Sequence, residues 1–364
     1  MHADKTNAGR RRKGQMDYTN VLDSYGTIIE EDLKRRLDEM VRDGQKYHPF
    51  LGDVYEATRE FVLRGGRRLS ACSTLIVYQG FAGKIDERIV RVCTGIELYR
   101  HSILIHDDIV DAEDRRRGGE TLHKTIAKGF DERFGLASAM FAGNILYALA
   151  IECLLESGFE QNKIEDATKL LATEFRAVNE SQILDMLFEY KDPDVKEWEV
   201  MAARRAVSLF KASLLAGGLL ASASKNDLEL LHDAARHIGF AFDIQDDIID
   251  TFATEEQYGR VPCGDIGKRK KPLHVILALQ KETQQKKKRL AAIMQEGRIL
   301  EGAEIEYVQS LIRDCGALDE AKSISREHAG QAEELISKTG MNQDAKDFFI
   351  SFIRFVDESL DWYK

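Results

Sequence analysis

Pro49 and Pro193 bracket a run, residues 50–192, that contains no proline, and the whole chain has only 4. Proline inside a helix removes a hydrogen bond and clashes with the preceding turn, whereas β-rich folds use it freely in their turns. So long a run without it suits long helices and argues against sandwiches, many-turned barrels and linker-rich chains. No long segment alternates with period two and no repeat of roughly 20–50 residues recurs, so neither a sheet nor a solenoid is expected. From about Val21 the pattern is helical, and residues 30–43 place Leu33, Leu37 and Met40 on one face with charge elsewhere. The charge run 281–290 reads as an exposed helix face. Residues 1–16, with Arg10, Arg11, Arg12 and Lys13, are expected to be a disordered basic tail, and residues 17–364 a single all-helical domain.

Composition narrows the function. Apolar residues are 43% of the 364, enough to fill a large core. The net charge of −10 disfavours nucleic-acid coating, which needs a basic surface. Cys72, Cys93, Cys153, Cys263 and Cys315 form no CxxC pair and no cluster with histidine, which suits free thiols in a reducing, cytoplasmic setting. No signal peptide is apparent at the start of the sequence. Residues 134–151 hold 18 residues without a charge, the lower limit for a membrane span. With charged flanks, Asn144, no second such segment and a mean hydropathy of −0.35, the expectation is a core helix buried on all sides, without stable membrane insertion.

A short internal echo carries the chemistry. Residues 104–111 (LIHDDIVD) and 243–250 (DIQDDIID) share the form DDIxD with an apolar x. Val92, Ile96, Tyr99, Ile103 and Asp107 follow one another at helical steps; so do Leu231, Ala235, Ile238, Phe242, Asp246 and Asp250. The carboxylates thus continue core-facing stripes. Asp107 and Asp111 share a face, with Asp108 beside them, and Asp246, Asp247 and Asp250 repeat the arrangement. Clustered buried carboxylates raise one another's pKa and need compensating cations. Oxygen-only ligands at this spacing suit Mg²⁺, completed by substrate phosphates. No second His or Cys joins His106 at a spacing that would suit zinc. One such motif alone could be an exposed acidic helix end; two on apolar stripes make that reading weak.

Basic residues indicate what the metals would hold. Arg115, Arg116 and Arg117 follow the first cluster, and Arg67 and Arg68 follow Gly65–Gly66. Arg204, Arg205 and Lys211 lie on another helix, and Lys268, Arg269, Lys270 and Lys271 follow the second cluster. Guanidinium forks suit phosphate, so the set describes a pocket for diphosphates. Gly65–Gly66 is either a helix C-cap or a backbone that approaches a phosphate.

In GGRRL (65–69), HDDIVDAEDRRRGGETLH (106–123), AGNILYALA (142–150), SQILD (181–185), RRAVSLF (204–210) and GFAFDIQDDIID (239–250), the sequence resembles the trans-isoprenyl diphosphate synthases, or polyprenyl synthetases. The likeness spans roughly residues 50–280. It implies an all-α bundle of about ten or more helices around a deep central cavity, a homodimer, and a reaction of an allylic diphosphate with isopentenyl diphosphate that uses three Mg²⁺. Carried over by position, Asp107, Asp108, Asp111, Asp246, Asp247 and Asp250 would bind the metals, and Asp107, Asp108, Asp246 and Arg205 would carry catalysis. Arg116 would hold the allylic diphosphate and Arg117 the isopentenyl diphosphate. Arg205 and Lys270 would reach the allylic diphosphate. Gln182 and Asp185 continue the inward stripe Leu171, Phe175, Val178; a buried structural hydrogen bond is the other reading of Asp185.

The sequence departs from the family pattern in places. Arg67 replaces a lysine, Ser70 an arginine expected at isopentenyl diphosphate, and Asp243 a glutamine. Arg205–Ala206 replaces Lys-Thr, Pro272 stands where Thr is common, and Arg100 where His or Gln is usual. Arg100 is expected to replace the missing arginine at the acceptor diphosphate; a salt bridge to Glu97 or to a neighbouring helix is the competing reading. Ser102, five before the first aspartate, is small where an aromatic would stop chain growth. The next bulky residue is Tyr99, with Phe141 and Tyr147 as additional stops, so C20 to C25 products are expected unless Tyr99 is an ordinary core aromatic. The competing functions are transfer to another acceptor or cyclisation on the same fold, and a non-catalytic partner subunit. Arg117 argues against a cyclase, and the intact aspartate motifs argue against an inert subunit.

Overall fold

The computed structural model describes residues 18–258, 261–295 and 298–362. The expected tail, 1–16, lies outside the described residues. Helix α1 (Tyr18–Tyr47) buries Leu22, Ile29, Leu33, Leu37 and Met40 along one stripe. Helix α2 (Pro49–Leu63) starts with Pro49 in its first turn, where a missing N–H costs nothing, and His48 caps it by accepting the Phe50 N–H. Then come α3 (Leu69–Ala82), α4 (Glu87–Val110), α5 (Leu122–Ala127) and α6 (Glu132–Leu155). Asp86 and Asp131 cap α4 and α6 by accepting N–H groups three residues on. Helix α7 (Gln161–Tyr190) ends just before Pro193, and α8 (Val195–Ala202) opens with an Asp194–Glu197 capping box. Helices α9 (Ala206–Leu220) and α10 (Lys225–Phe252) follow.

Two short helices, α11 (Glu255–Tyr258) and α12 (Gly264–Gly267), lead to α13 (Leu273–Lys281), whose N-cap is Pro272. Helices α14 (Gln284–Gln295), α15 (Gly302–Asp314), α16 (Ala317–Lys338) and α17 (Gln343–Ser359) complete the order. The charge run does lie on an exposed face, broken at Glu282–Thr283 between α13 and α14.

Helix α4 packs along α6, and α10 lies between α9 and α16, so the two aspartate-bearing helices belong to the core. Gly239 makes one approach possible. A Cβ there would sit 2.5 Å from the Val207 Cα, so α10 reaches the first turn of α9 only without a side chain. That contact brings the second aspartate cluster beside Arg205. All five cysteines are free.

The structure corrects two expectations. The expectation of no sheet misses a hairpin in which Arg115–Arg116 (β1) pairs antiparallel with Gly119–Glu120 (β2). Its turn residues, Arg117 (φ +52°) and Gly118 (φ +80°), are both left-handed, as a two-residue hairpin turn requires. Two-residue strands are too short to show a period-two pattern. The uncharged helix, α6, is not buried on all sides. Gly135, Ala139, Ala142, Gly143, Leu146 and Ala150 face inward, but Met140 and Phe141 are 44% and 59% exposed. By length and composition it could cross a membrane. Its inner face packs against α4 and α5.

Candidate active site

The apolar stripe of α4 delivers Asp107 and, one turn on, Asp111 to one wall of a cavity. On the facing wall, α10 delivers Asp246, Asp247 and Asp250. Ion pairs hold the walls together. The Lys270 Nζ is 2.8 Å from Asp111 Oδ2 and 3.6 Å from Asp185. Arg205 grips Asp243 through Nε and Nη2 at 2.9–3.0 Å, reaches Asp247 at 3.1 Å, and lies 3.6 Å from Asp185. Asp185 therefore sits between two cations, an ionic role beyond the hydrogen bond weighed from sequence. Gln182 donates to Asp107 Oδ1 at 2.6 Å, and Arg116 bonds Asp108 at 2.5 Å and Asp107 at 3.3 Å. Asp250 accepts the Asp265 N–H.

The three adjacent acids of each motif are not equivalent. Asp108 is 1% exposed and turned to Arg116, whereas Asp107 and Asp111 reach the cavity. Asp246 is solvent-accessible yet enclosed by protein, because it opens into the cavity. Burial pushes the Asp108 carboxyl up to about 6 against the pull of Arg116, and burial with Asp107 nearby pushes Asp111 up to about 7. Asp243, Asp246 and Asp247 are raised too, first by burial and then by neighbouring carboxylates. Burial alone would lower the pKa values of Arg205 and Lys270; the surrounding carboxylates reverse that and raise both.

This donor set fits a hard divalent cation. The anionic groups here are all carboxylates, they outnumber the Arg116, Arg205 and Lys270 cations that touch them, and the buried Asp108 Oδ2 has no hydrogen-bond partner. Among the described residues no three His, Cys, Asp or Glu converge into a finished cage. That suits a cation which keeps its waters and takes substrate phosphates as further ligands.

The basic side is built from the loop after α2 and the β1–β2 hairpin. Arg64 donates to the carbonyls of Arg116 and Glu120, stitching the two together. Gly65 (φ +52°) and Gly66 (φ +106°) are left-handed, and a Cβ at Gly66 would lie 2.8 Å from the Arg117 Cζ. The pair thus opens a turn over which a guanidinium lies. Arg117 Nη1 donates to the Gly65 carbonyl at 2.8 Å and to His101 Nε2 at 3.3 Å. Arg67 is half-buried at this turn, and Ser70 sits half-buried in the first turn of α3. Arg68, by contrast, is buried, bonding the Val62 carbonyl and Glu97.

Arg100 resolves one of the competing readings. Its salt bridge to Glu97 does not form: Glu97 Oε1 pairs with Arg68, and Oε2 is buried without a hydrogen-bond partner. Among the described residues Arg100 has no hydrogen bond or ion pair. Burial lowers its pKa, Arg116 lowers it further, and Asp107, Glu97 and Asp246 pull the other way, so carboxylates of both α4 and α10 act on it. His101 and Arg64 were not singled out from the sequence, and Glu97 only as a partner for Arg100. The signal for His101 was present: it stands four residues after Glu97 on the buried stretch of α4.

Beside Asp107 a cleft of about 60 Å³ runs between α4 and α7, lined by Ile103, His106, Asp107, Val110, Val178, Asn179 and Gln182. Phe175 lies at its lower end, 6.5 Å from the His106 ring. It stacks on Tyr147 at 3.9 Å and meets Tyr99 edge-on at 6.0 Å. Tyr99 is 1% exposed, and its hydroxyl has no partner. Ser102 is fully buried and off the lining of this cleft. Phe141 is the correction: it points outward from α6 and closes nothing within this chain.

Comparison with known proteins agrees with this architecture. A short chain isoprenyl diphosphate synthase of Methanocaldococcus jannaschii is 31% identical over 268 residues, 73% of this chain and 78% of that protein. A geranylgeranyl diphosphate synthase of Sulfolobus acidocaldarius is 34% identical over 236 residues, 63% of this chain and 68% of that one. The fold matches a Corynebacterium glutamicum geranylgeranyl pyrophosphate synthase, solved with isoprenyl diphosphate and magnesium, at a TM-score of 0.82 and 21% identity, covering 91% of this chain and 98% of that one. The family model for polyprenyl synthetase matches residues 53–312, and the chain belongs to the polyprenyl synthetase family.

Proposed function

We propose that the protein is a chain-elongating prenyltransferase that condenses isopentenyl diphosphate with an allylic diphosphate, with C20 to C25 products. The observation that carries the reading is the joining of the two aspartate clusters by basic residues: Lys270 and Arg205 link them through Asp111, Asp185 and Asp247, and Arg116 ties the first cluster to the cationic hairpin. Beside Asp107 the α4–α7 cleft leads toward the Phe175, Tyr147 and Tyr99 rings. Asp107, Asp111, Asp246, Asp247 and Asp250 would hold Mg²⁺, three ions by family likeness, with Asp108 behind them. When bound, Mg²⁺ neutralises the diphosphate that departs as the allylic C–O bond breaks.

The chain's own groups do the rest. Arg116 leaves Asp107 and Asp108 for the allylic diphosphate, and Lys270 and Arg205 supply further positive charge at that site. Asp243 fixes the plane of the Arg205 guanidinium through its two-pronged contact. Gln182 orients Asp107. Arg117, Arg67 and Arg100 hold isopentenyl diphosphate, so that its double bond faces the allylic carbon. The cleft excludes water from the cation and takes the growing chain. Proton loss to the released diphosphate restores the alkene.

We read the helices as one catalytic domain, acting as a homodimer through the exposed apolar face of α6 rather than inserting that face in lipid. The free cysteines suit the cytoplasm. Incubation with Mg²⁺, an allylic diphosphate and labelled isopentenyl diphosphate tests the function: label is expected in C20–C25 chains. Cyclic hydrocarbon without label, or no reaction, would overturn it.

A further inference from the structure

Arg117 occupies a backbone position that an arginine does not favour. Its φ of +52° puts it in the left-handed region, which Gly or Asn fills more readily at this place in a hairpin turn. Such a residue is held by its surroundings, and here the hold is visible on the side chain. Nη1 turns its two N–H groups to three acceptors, the Gly65 carbonyl at 2.8 Å, His101 Nε2 at 3.3 Å and, at the limit, the Arg64 carbonyl at 3.4 Å. Nε and Nη2, with three N–H groups between them, make no hydrogen bond among the described residues.

The His101 end of this contact has only one workable form. Its Nδ1 lies 2.9 Å from the Glu97 carbonyl, which can only accept, so Nδ1 carries the proton. Nε2 is then a bare lone pair facing an Arg117 N–H. The ring is fully buried and edge-on to Phe61 at 6.2 Å. Glu97 Oε1, 3.4 Å from Nδ1, is itself anchored by the buried Arg68. Burial, with Arg117 and Arg68 alongside, holds the imidazole neutral.

We propose that His101 is a positioning residue: its Nε2, fixed as an acceptor by Glu97 and Arg68, aims Arg117 so that the Nε–Nη2 edge is presented to isopentenyl diphosphate. This rests on the reading of Arg117 as a ligand of that substrate. A protonated or apolar side chain at 101 would leave Nη1 held only by the Gly65 and Arg64 carbonyls and let the guanidinium pivot over the Gly65–Gly66 turn.

Steady-state kinetics with both substrates, on protein checked by thermal melting, test it. His101→Leu is expected to raise the KM for isopentenyl diphosphate roughly tenfold, the scale of one hydrogen bond to a charged group, with kcat and the allylic KM within about twofold. His101→Gln, which keeps an acceptor near the Nε2 position, stays within about threefold of the parent. In an Arg117→Ala background His101→Leu adds nothing further. Should His101→Leu not fold, His101→Asn, which places its amide near Nδ1 and loses the Nε2 acceptor, must show the same selective rise. Equal effects on both substrates, or none, would overturn the proposal while leaving Arg117 in place. If Arg117→Ala itself spares the KM for isopentenyl diphosphate, the reading of Arg117 fails and takes this one with it.

Discussion

An arginine without an ion pair, enclosed by protein, is held there at a cost in solvation unless a ligand repays it. Among the described residues Arg100 is in that position, while Oε1 of its neighbour Glu97 is engaged by Arg68. Arg100→Ala should therefore raise the KM for isopentenyl diphosphate roughly tenfold and spare the allylic substrate, with steady-state kinetics as the check. Adding Ser70→Arg should recover part of the loss, because the charge returns to the same pocket from α3. Asp107 is the second test. It faces the cavity, and Gln182 holds one of its oxygens at 2.6 Å. Asp107→Ala should cost turnover about 3–4 kcal/mol in barrier, and Gln182→Ala less, since it loosens the carboxylate without removing it. Near-parent rates for Asp107→Ala at saturating Mg²⁺ would remove it from the metal site. Helical spacing told which face the aspartates take. It could not tell which cation answers which carboxylate: Arg205 and Asp243, two separate departures from the family pattern, turn out to be one bidentate pair across 38 residues.

At the scale of elements, the product-length floor we propose is the meeting of α4, α6 and α7. Descending α4 from Asp107, the stripe passes Ile103 and reaches Tyr99, eight residues or about 12 Å below. On α7 it passes from Gln182 through Val178 to Phe175, so the two helices close the cleft at the same depth. Truncating Tyr99 should open this floor and Ser102→Phe should raise a new one by about one isoprene length, roughly 4.5 Å. Tyr99→Ala is thus expected to shift products longer and Ser102→Phe shorter, read by chromatography of the hydrolysed products. Unchanged products in both would place the floor elsewhere. Ser102 lies off the cleft lining, so the second change acts by pushing Ile103 and its neighbours inward. Helix ends carry local chemistry that spacing along the apolar stripes does not use: Asp86, Asp131, Asp194 and Ser224 cap helices. The hairpin was not legible in the sequence, because two residues a strand leave no pattern. The burial of α6 was misjudged because a face that packs in a core and a face that awaits a partner have the same composition.

At the scale of the molecule, two properties depend on how elements meet. His274 of α13 bonds Thr251 of α10 at 2.8 Å, fully buried, and burial pushes its pKa down to about 3. The unfolded imidazole titrates near 6.5. Below that pH the unfolded chain takes up a proton that the folded chain refuses, so stability is full above pH 6.5 and falls toward pH 3. Between pH 7 and 5 this amounts to about 2 kcal/mol, and His274→Gln should flatten the pH dependence of the urea midpoint by about that much. The second property is assembly. Met140 and Phe141 stand out from α6, and next to it α7 exposes Ile183, Leu187 and Tyr190. So much apolar surface on adjacent helices suits a partner, and a second copy burying about 800 Å² per chain would form a stable dimer. The same helix turns Tyr147 inward onto Phe175, so the outer face and the floor of the cleft are two sides of one element. Phe141→Glu should therefore do two things: yield monomers of 41.3 kDa in sedimentation, and let α6 shift enough to broaden product length. Parent protein that already sediments as a single chain would remove the dimer. A monomeric variant with an unaltered product distribution would uncouple the floor from the interface.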